Sequence, residues 1–320
     1  MKSFWQQLPR PFFVLAPMEA VTDVVFRHVI ERAGRPDVYF TEFTNATGWF
    51  RAGNKAIGGR LVKTTDESPI VAQLWGSEPE AMAALSQHCA ELGYDGIDIN
   101  MGCPDQSAIK GGGGAGMIRA PGLAYEIIAA AKTSGLPVSV KTRLGYTYVN
   151  EWRDWLGGLL RQNITVLTIH LRTKKEMSKV PAHFELIPEI KALRDEIAPE
   201  TLLVINGDVR DRAHGLEFVE KYGVDGVMIG RGVFANPFCF RDEQERVVEN
   251  PSNKKSDLIQ LLCYHLDQFD LYQPQMGRPF ETLKRFFKIY IRDFDGASTL
   301  RDKMMHCNST DDVRSVLDNI

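Results

Sequence analysis

Along the first 240 residues, short apolar runs recur, each followed by a longer stretch whose apolar positions have helical spacing. The runs cover 12–16, 38–42, 70–74, 96–100, 137–142, 165–170, 202–206 and 226–230. Several are apolar at every position, such as Leu202-Leu203-Val204-Ile205 and Val227-Met228-Ile229, as expected of parallel strands covered on both faces. Between them lie helical segments over 79–92, with Ser77 as its cap, and over 124–133, stopped near Gly135. Eight such units predict an α/β protein built on a (β/α)8 TIM barrel. A doubly wound open sheet is the alternative, but it opens on a glycine-rich dinucleotide turn, and Ala16-Pro17-Met18-Glu19 is not one.

After Asn236-Pro237 the pattern changes. Residues 250–255 are turn-rich and charged, and 257–272, 279–292 and 310–320 have helical spacing with no strand signal. The expected organisation is a catalytic barrel over 1–246, a linker over 247–256 and an appended all-helical domain over 257–320.

A TIM barrel gathers its chemistry at the C-terminal ends of its strands. The residues there are Pro17-Met18 after the first run, Gln73 at the third, Asn100 and Cys103 at the fourth, and Lys141 and Arg143 at the fifth. The sixth adds His170 and Arg172, the seventh Asn206-Gly207-Asp208 and the eighth Gly230-Arg231. A lone cysteine is more often a small buried hydrophobe than a reagent. Cys103, however, lies just past a strand, braked by Gly102 and Pro104 and followed by the glycines 111–114, which would let the loop close over a ligand. Amide, ammonium, imidazole and guanidinium groups converging on one mouth suit a planar, anionic, hydrogen-bonding ligand. Barrels often hold phosphate on the loops after strands seven and eight, where this chain has Gly207 and Gly230-Arg231-Gly232. Lys141 is too far round to clamp the same phosphate and is better placed beside a ring, which makes FMN the first choice of cofactor.

Composition narrows the class further. At 320 residues and 44% apolar content the chain can bury a full core. Its five cysteines include no CxxC pair, so neither a disulfide framework nor a metal site is expected, and a reducing cytoplasm is the default. The N-terminus lacks a signal-peptide pattern and no apolar run approaches membrane-spanning length. With a net charge of −3, any polyanionic partner has to be met by a local basic patch.

The pieces APMEAVTDVVFR (16–27), TEF (41–43), VAQLWG (71–76), GIDINMGCP (96–104), GGGGAGMI (111–118), VSVKTRLG (138–145), TIHLRT (168–173), VINGDV (204–209) and GVMIGRG (226–232) together resemble the tRNA-dihydrouridine synthases. That family reduces specific uridines in tRNA, with FMN as cofactor and NADPH as reductant. The resemblance covers nearly the whole chain. It implies Cys103 as the catalytic acid, Asn100 against the target uracil, and Gln73, Lys141, His170, Asn206, Gly207, Asp208, Gly230 and Arg231, with the Pro17-Met18 backbone, as the FMN site. The loop 174–184 departs from the family pattern, ending in Ala182-His183-Phe184 where Ala-Asp-Trp is usual, and Leu171 replaces a common glycine.

Reducing a uracil 5,6 double bond needs a hydride at C6 and a proton at C5, and a thiol of ordinary pKa remains protonated near neutrality. A uridine reaches a barrel mouth only when drawn from its stack, so a second surface should grip the RNA. Lys284, Arg285, Lys288 and Arg292 form a basic stripe if 279–292 is one helix, and Arg172, Lys174, Lys175 and Lys179 add a second cluster at the mouth. Arg143 and Arg172 are expected on the substrate side. The expected protein is a cytoplasmic monomer acting on tRNA, with no protein or membrane partner. Two other readings remain: an FMN barrel acting on a small pyrimidine, and a non-catalytic tRNA-binding protein.

Overall fold

The computed structural model describes residues 3–57, 59–242 and 254–319. Among the described residues nine strands form one sheet: β1 (Phe12–Leu15), β2 (Tyr39–Phe40), β3 (Thr44–Asn45), β4 (Ile70–Trp75), β5 (Gly96–Met101), β6 (Val138–Arg143), β7 (Val166–His170), β8 (Leu202–Asn206) and β9 (Gly226–Ile229). All neighbours are parallel, in the order β1-β9-β8-β7-β6-β5-β4-β2, with β3 also on β4. A parallel bridge between Val14 and Val38, with Leu15 N–H donating to the Val38 carbonyl at 3.2 Å, closes the ring. The predicted TIM barrel is therefore formed, and each of the eight apolar runs is one stave.

The second stave is split. Between β2 and β3, Gln73 N–H donates to the Thr41 hydroxyl at 3.0 Å instead of to a backbone carbonyl, and Glu42 turns its carboxylate to Ala20 N–H at 2.5 Å. Ser77 does not cap the helix Pro79–Glu91, which has Glu78 at its N-cap and Pro79 in its first turn; the Ser77 hydroxyl instead donates to the Gly111 carbonyl at 2.8 Å.

The barrel interior changes character along its axis. At the lower end Phe12, Val14, Val71, Val166, Leu202, Val204 and Met228 pack with Trp5, which plugs the bottom with its ring 5.6 Å from Phe12. Two residues further along several of the same inward-facing rows, Val71 gives way to Gln73 and Val204 to Asn206, while His170 lies four positions beyond Val166. Outward residues such as Phe13, Ile97, Ile99 and Leu203 join the larger core under the helices. The strands are thus apolar on both faces at their base and polar on the inner face at the mouth.

The C-terminal region is helical. Its long helix runs Lys254–Met276 and packs along the barrel helix Val24–Ala33. It begins inside the segment expected as linker, and residues 243–253, which include 247–253 of that segment, lie outside the described residues. The expected single helix over 279–292 is corrected: Phe280–Phe286 is a 3-10 helix and only Phe287–Tyr290 is α-helical. Leu283, Phe286 and Ile289 are buried at a spacing of three, the period at which 3-10 winding keeps residues on one edge. Two further helices, Ala297–Met305 and Thr310–Leu317, follow; the first was not anticipated. Arg278 ties this region to the barrel, donating to Asp23 at 3.0 Å and Glu42 at 2.5 Å. No helix among the described residues is long and apolar enough to cross a membrane.

Candidate active site

The floor of the mouth is a buried polar chain centred on β5. The pairing sets Asp98 beside Gln73 of β4 and Ser139 of β6, and Asn100 beside Lys141. Ser139 Oγ donates to Asp98 Oδ1 at 2.6 Å and Gln73 Nε2 to Asp98 Oδ2 at 2.7 Å, so both carboxylate oxygens are engaged. With its nitrogen committed, Gln73 offers Oε1 to Asn100 Nδ2 at 3.0 Å. Asn100 Oδ1 in turn accepts the N–H groups of Gly102 at 3.1 Å and Cys103 at 2.9 Å. A carboxylate deep in the barrel therefore sets the orientation of two amides and of the cysteine loop. The sequence reading passed over Asp98, although an acid in phase with the inward positions of an apolar strand was a usable signal.

Burial pushes Asp98 up to about 6, against hydrogen bonds from Ser139 and Gln73 and the Lys141 charge. Burial likewise pushes Lys141 down to about 8, helped by Arg143 and opposed by Asp98. The half-buried Cys103 thiol is raised, chiefly by burial, so it holds its proton at neutral pH. Its carbonyl accepts Ala115 N–H at 2.9 Å, and Gly114, at φ 54°, has no room for a Cβ, which would stand 2.7 Å from that carbonyl. The glycine run is a packed brace behind Cys103, not a loose connector.

A cavity of about 540 Å³ opens at the mouth. Pro17, Met18, Lys141, His170, Asn206, Gly207, Asp208, Gly230 and Arg231 line it, which brings together every expected cofactor residue except Gln73. Gly207 has φ 119°, and a Cβ there would stand 3.0 Å from the His170 ring. Arg172 Nη1 donates to His170 Nε2 at 3.0 Å, which leaves the ring proton on Nδ1. Burial, with Arg143, Lys141 and Arg172 nearby, drives His170 protonation far below its ordinary range, so the imidazole is neutral. Asp208 is held between Arg172 and Arg231, the latter at 3.1 Å with its side chain 65% exposed. The set combines an exposed guanidinium and close-approaching backbone at one end with an ammonium and a neutral ring donor at the other. It fits a ligand with a phosphate tail and a flat polar head. Cys103 lines a second cavity of about 550 Å³, with Asn45, Arg60 and Trp75.

The basic residues expected to meet a substrate divide into two groups. Arg143 is buried, donating from Nε to the Gly102 carbonyl at 2.7 Å and from Nη1 to Thr173 and Met177 carbonyls at 3.0 and 2.9 Å. Arg172, also buried, gives Nε to the Val180 carbonyl at 2.6 Å. These two brace the loops around the mouth. The continuous stripe on the tail is not formed, because 3-10 winding opens residues four apart to about 120°, where an α-helix would keep them about 40° apart. Arg285 reaches the Ala20 carbonyl at 3.2 Å and Arg292 the Phe234 carbonyl at 3.2 Å, both on the barrel. Lys288 is exposed, and Lys284 lies over the Phe280 ring at 5.5 Å.

Comparison with known proteins agrees with this geometry. The chain is similar to a "Probable tRNA-dihydrouridine synthase 2" of Bacillus subtilis (strain 168), with 57% identity over 319 residues, covering 99% of this chain and 96% of the relative. It is 54% identical over 318 residues to a "Probable tRNA-dihydrouridine synthase" of Staphylococcus aureus (strain COL), covering 99% and 95%. Among solved structures, the 6-hydroxypseudooxynicotine amine oxidase of Pseudomonas geniculata N1 shares the fold, with a TM-score of 0.51 at 11% identity, over 71% of this chain and 46% of that one. The family model described as dihydrouridine synthase matches residues 14–320. The chain belongs to the dihydrouridine synthase family.

Proposed function

We propose that this protein reduces the 5,6 double bond of uridines in tRNA, with FMN in the cavity between Lys141 and Arg231 and NADPH as the reductant. The observation that carries this reading is the buried chain from Asp98 through Gln73 and Asn100 to Cys103, which holds a protonated thiol on the loop beside that cavity. When bound and reduced, FMN supplies the hydride for C6. Arg231 and the backbone near Gly207 and Gly230 would hold its phosphate end, and Lys141 and the neutral His170 would orient its ring end.

Cys103 gives its proton to C5, opposite the hydride, as a general acid. Burial keeps the thiol protonated beforehand, and the positive charges of Lys141 and Arg143 favour the thiolate left behind, which solvent then reprotonates. Asn100 fixes the Cys103 backbone, and the family resemblance gives it the contact with the target uracil. Lys284 and Lys288 of the tail give the RNA backbone a surface away from the mouth. The setting is the cytoplasm, and the active form is a monomer.

The test is dihydrouridine mapping in tRNA from a strain lacking the gene, complemented with the wild type or with Cys103→Ala. Restoration by the wild type alone is expected. Absence of any change in dihydrouridine content between the deletion and wild-type strains would sink the assignment.

A further inference from the structure

The loops after β6 and β7 are zipped together on the rim of the mouth: Lys174 N–H donates to the Gly145 carbonyl at 2.8 Å and Lys175 N–H to the Tyr146 carbonyl at 2.9 Å. This pairing sets cations on aromatic faces. Lys174 Nζ lies 5.1 Å from the Tyr146 ring centre, with the Arg119 guanidinium 4.9 Å from the same ring, and Lys175 Nζ lies 5.8 Å from the Tyr148 ring. Tyr148 is 65% exposed, more than any other large hydrophobic side chain among the described residues. Glu151 keeps its negative charge but turns its carboxylate onto the loop backbone, accepting the N–H groups of Tyr146 at 2.6 Å, Thr147 at 3.2 Å and Tyr148 at 2.9 Å. It builds the loop that displays the two tyrosines. Beside them a cleft of about 560 Å³ is floored by Tyr125 and Trp155 and edged by Arg119.

Exposed aromatic faces interleaved with lysine and arginine are the chemistry by which proteins hold unpaired nucleotides: bases stack on the rings and phosphates meet the cations. Asp154 and Glu151 both line the cleft and repel phosphate from it, which favours Lys174 and Lys175 as the backbone contacts. We propose that this rim is a second nucleotide-binding surface for the RNA substrate. An unstacked base other than the reacting uridine lies on the open face of Tyr148, with its flanking phosphates on Lys174 and Lys175. Arg119 closes the 3-10 segment Gly114–Arg119, whose Ala115 holds the Cys103 carbonyl, so RNA seated here bears directly on the brace behind the thiol. The proposal rests on tRNA being the substrate.

The experiment measures the affinity of an unmodified tRNA transcript for the full-length protein across a range of KCl concentrations. The proteins compared are the wild type, Tyr148→Ala, Tyr148→Phe and the double variant Lys174→Ala/Lys175→Ala. Tyr148→Ala should bind roughly tenfold more weakly with an unchanged salt slope, because a stack is lost and no charge is removed. Tyr148→Phe should match the wild type. The double lysine variant should show a shallower slope, by about 0.7 for each phosphate contact removed. Equal affinity of wild type and Tyr148→Ala overturns the surface alone. Failure of the wild type to bind the transcript at any salt overturns the tRNA reading and the surface with it.

Discussion

Asp98 accepts a hydrogen bond from Gln73 Nε2 at 2.7 Å in the closed interior of the barrel, where neither side chain touches solvent. That contact decides which way the Gln73 amide faces, and through Asn100 it reaches the backbone of Cys103. Asp98→Asn preserves the pattern, since its oxygen accepts from Gln73 and its nitrogen donates to Ser139. Asp98→Leu leaves the Gln73 amide nitrogen buried and unsatisfied, at a cost of about 1–3 kcal/mol, and leaves Ser139 only its 3.3 Å hydrogen bond to the Ile97 carbonyl. The asparagine variant should therefore keep dihydrouridine formation within a few-fold of wild type, and the leucine variant should lose about tenfold or more while melting several degrees lower. Turnover and melting measured on both variants check this. Equal losses would mean that the charge of Asp98 matters and its orienting of Gln73 does not.

Asp98 also bears on pH dependence through Lys141. The folded pKa of Lys141, about 8, lies below that of a free lysine, so between about 8 and 10.4 the unfolded chain binds the extra proton and Lys141 makes stability rise with pH. Activity runs the other way. The cation needed at the ring end is lost as pH rises through about 8, and Cys103, raised by burial, is not the group that sets this limb. The pH–rate profile should fall above about 8, and in Asp98→Asn, which removes the charge that props Lys141 up, the limb should move to lower pH. Flavin-free Lys141→Met should show a smaller rise in urea midpoint from pH 8 to pH 10 than the wild type. A limb at the same pH in wild type and Asp98→Asn would remove Lys141 from this role.

The features legible in the sequence were those that repeat or that sit at a strand end. Val166, Leu202 and Val204 announce buried parallel strands by apolar continuity, and Asn206-Gly207-Asp208 announces a mouth by following one. What the sequence could not show depends on one side chain finding a distant partner. The second stave breaks because the Thr41 hydroxyl replaces a backbone acceptor for Gln73, which is visible only once the two strands are paired. The tail helix was misread because 280, 283, 286 and 289 are spaced for 3-10 winding while the intervening residues also fit an α-helix. Arg143, Arg285 and Arg292 read as nucleic-acid contacts by charge, yet their guanidiniums reach backbone carbonyls far along the chain. The polar chain on Asp98 mixes both cases, with a visible acid and partners that need the barrel register.

Arg278 is the electrostatic joint between barrel and tail. Its guanidinium, with the side chain 12% exposed, faces Asp23 and the fully buried Glu42. Burial and the Glu42 charge push Asp23 up to about 6 even with Arg278 present to lower it. Removing the cation leaves two acids close together in a dry site, so Arg278→Ala should destabilise the protein by about 3–5 kcal/mol. The loss should be greater at pH 7 than at pH 5, where protonation of Asp23 relieves the repulsion. Urea unfolding at the two pH values tests the sign, and hydrogen exchange should show Lys254–Met276 opening more readily than β5 or β8. A loss independent of pH would assign the joint to packing and not to charge.

Cys103 has the narrowest requirement of the site residues: it must hold a proton until the uracil arrives and then release it to C5. Its surroundings serve both halves of that task. Burial keeps the thiol neutral, Asn100 fixes its N–H, Ala115 fixes its carbonyl, and Lys141 and Arg143 are close enough to favour the thiolate. Alanine removes the proton and leaves these backbone anchors in place. Since general acid catalysis is worth about 10²–10⁴ in rate, Cys103→Ala should lose that much dihydrouridine formation on an unmodified transcript. Flavin absorbance and NADPH consumption without tRNA should stay near wild type, because the cavity lined by Lys141 and Arg231 does not include Cys103. Serine, a far weaker acid in the same position, should restore little of the rate. A normal rate in Cys103→Ala would make the cysteine structural and move the search for the proton donor to Lys141, whose pKa of about 8 leaves it protonated at neutral pH.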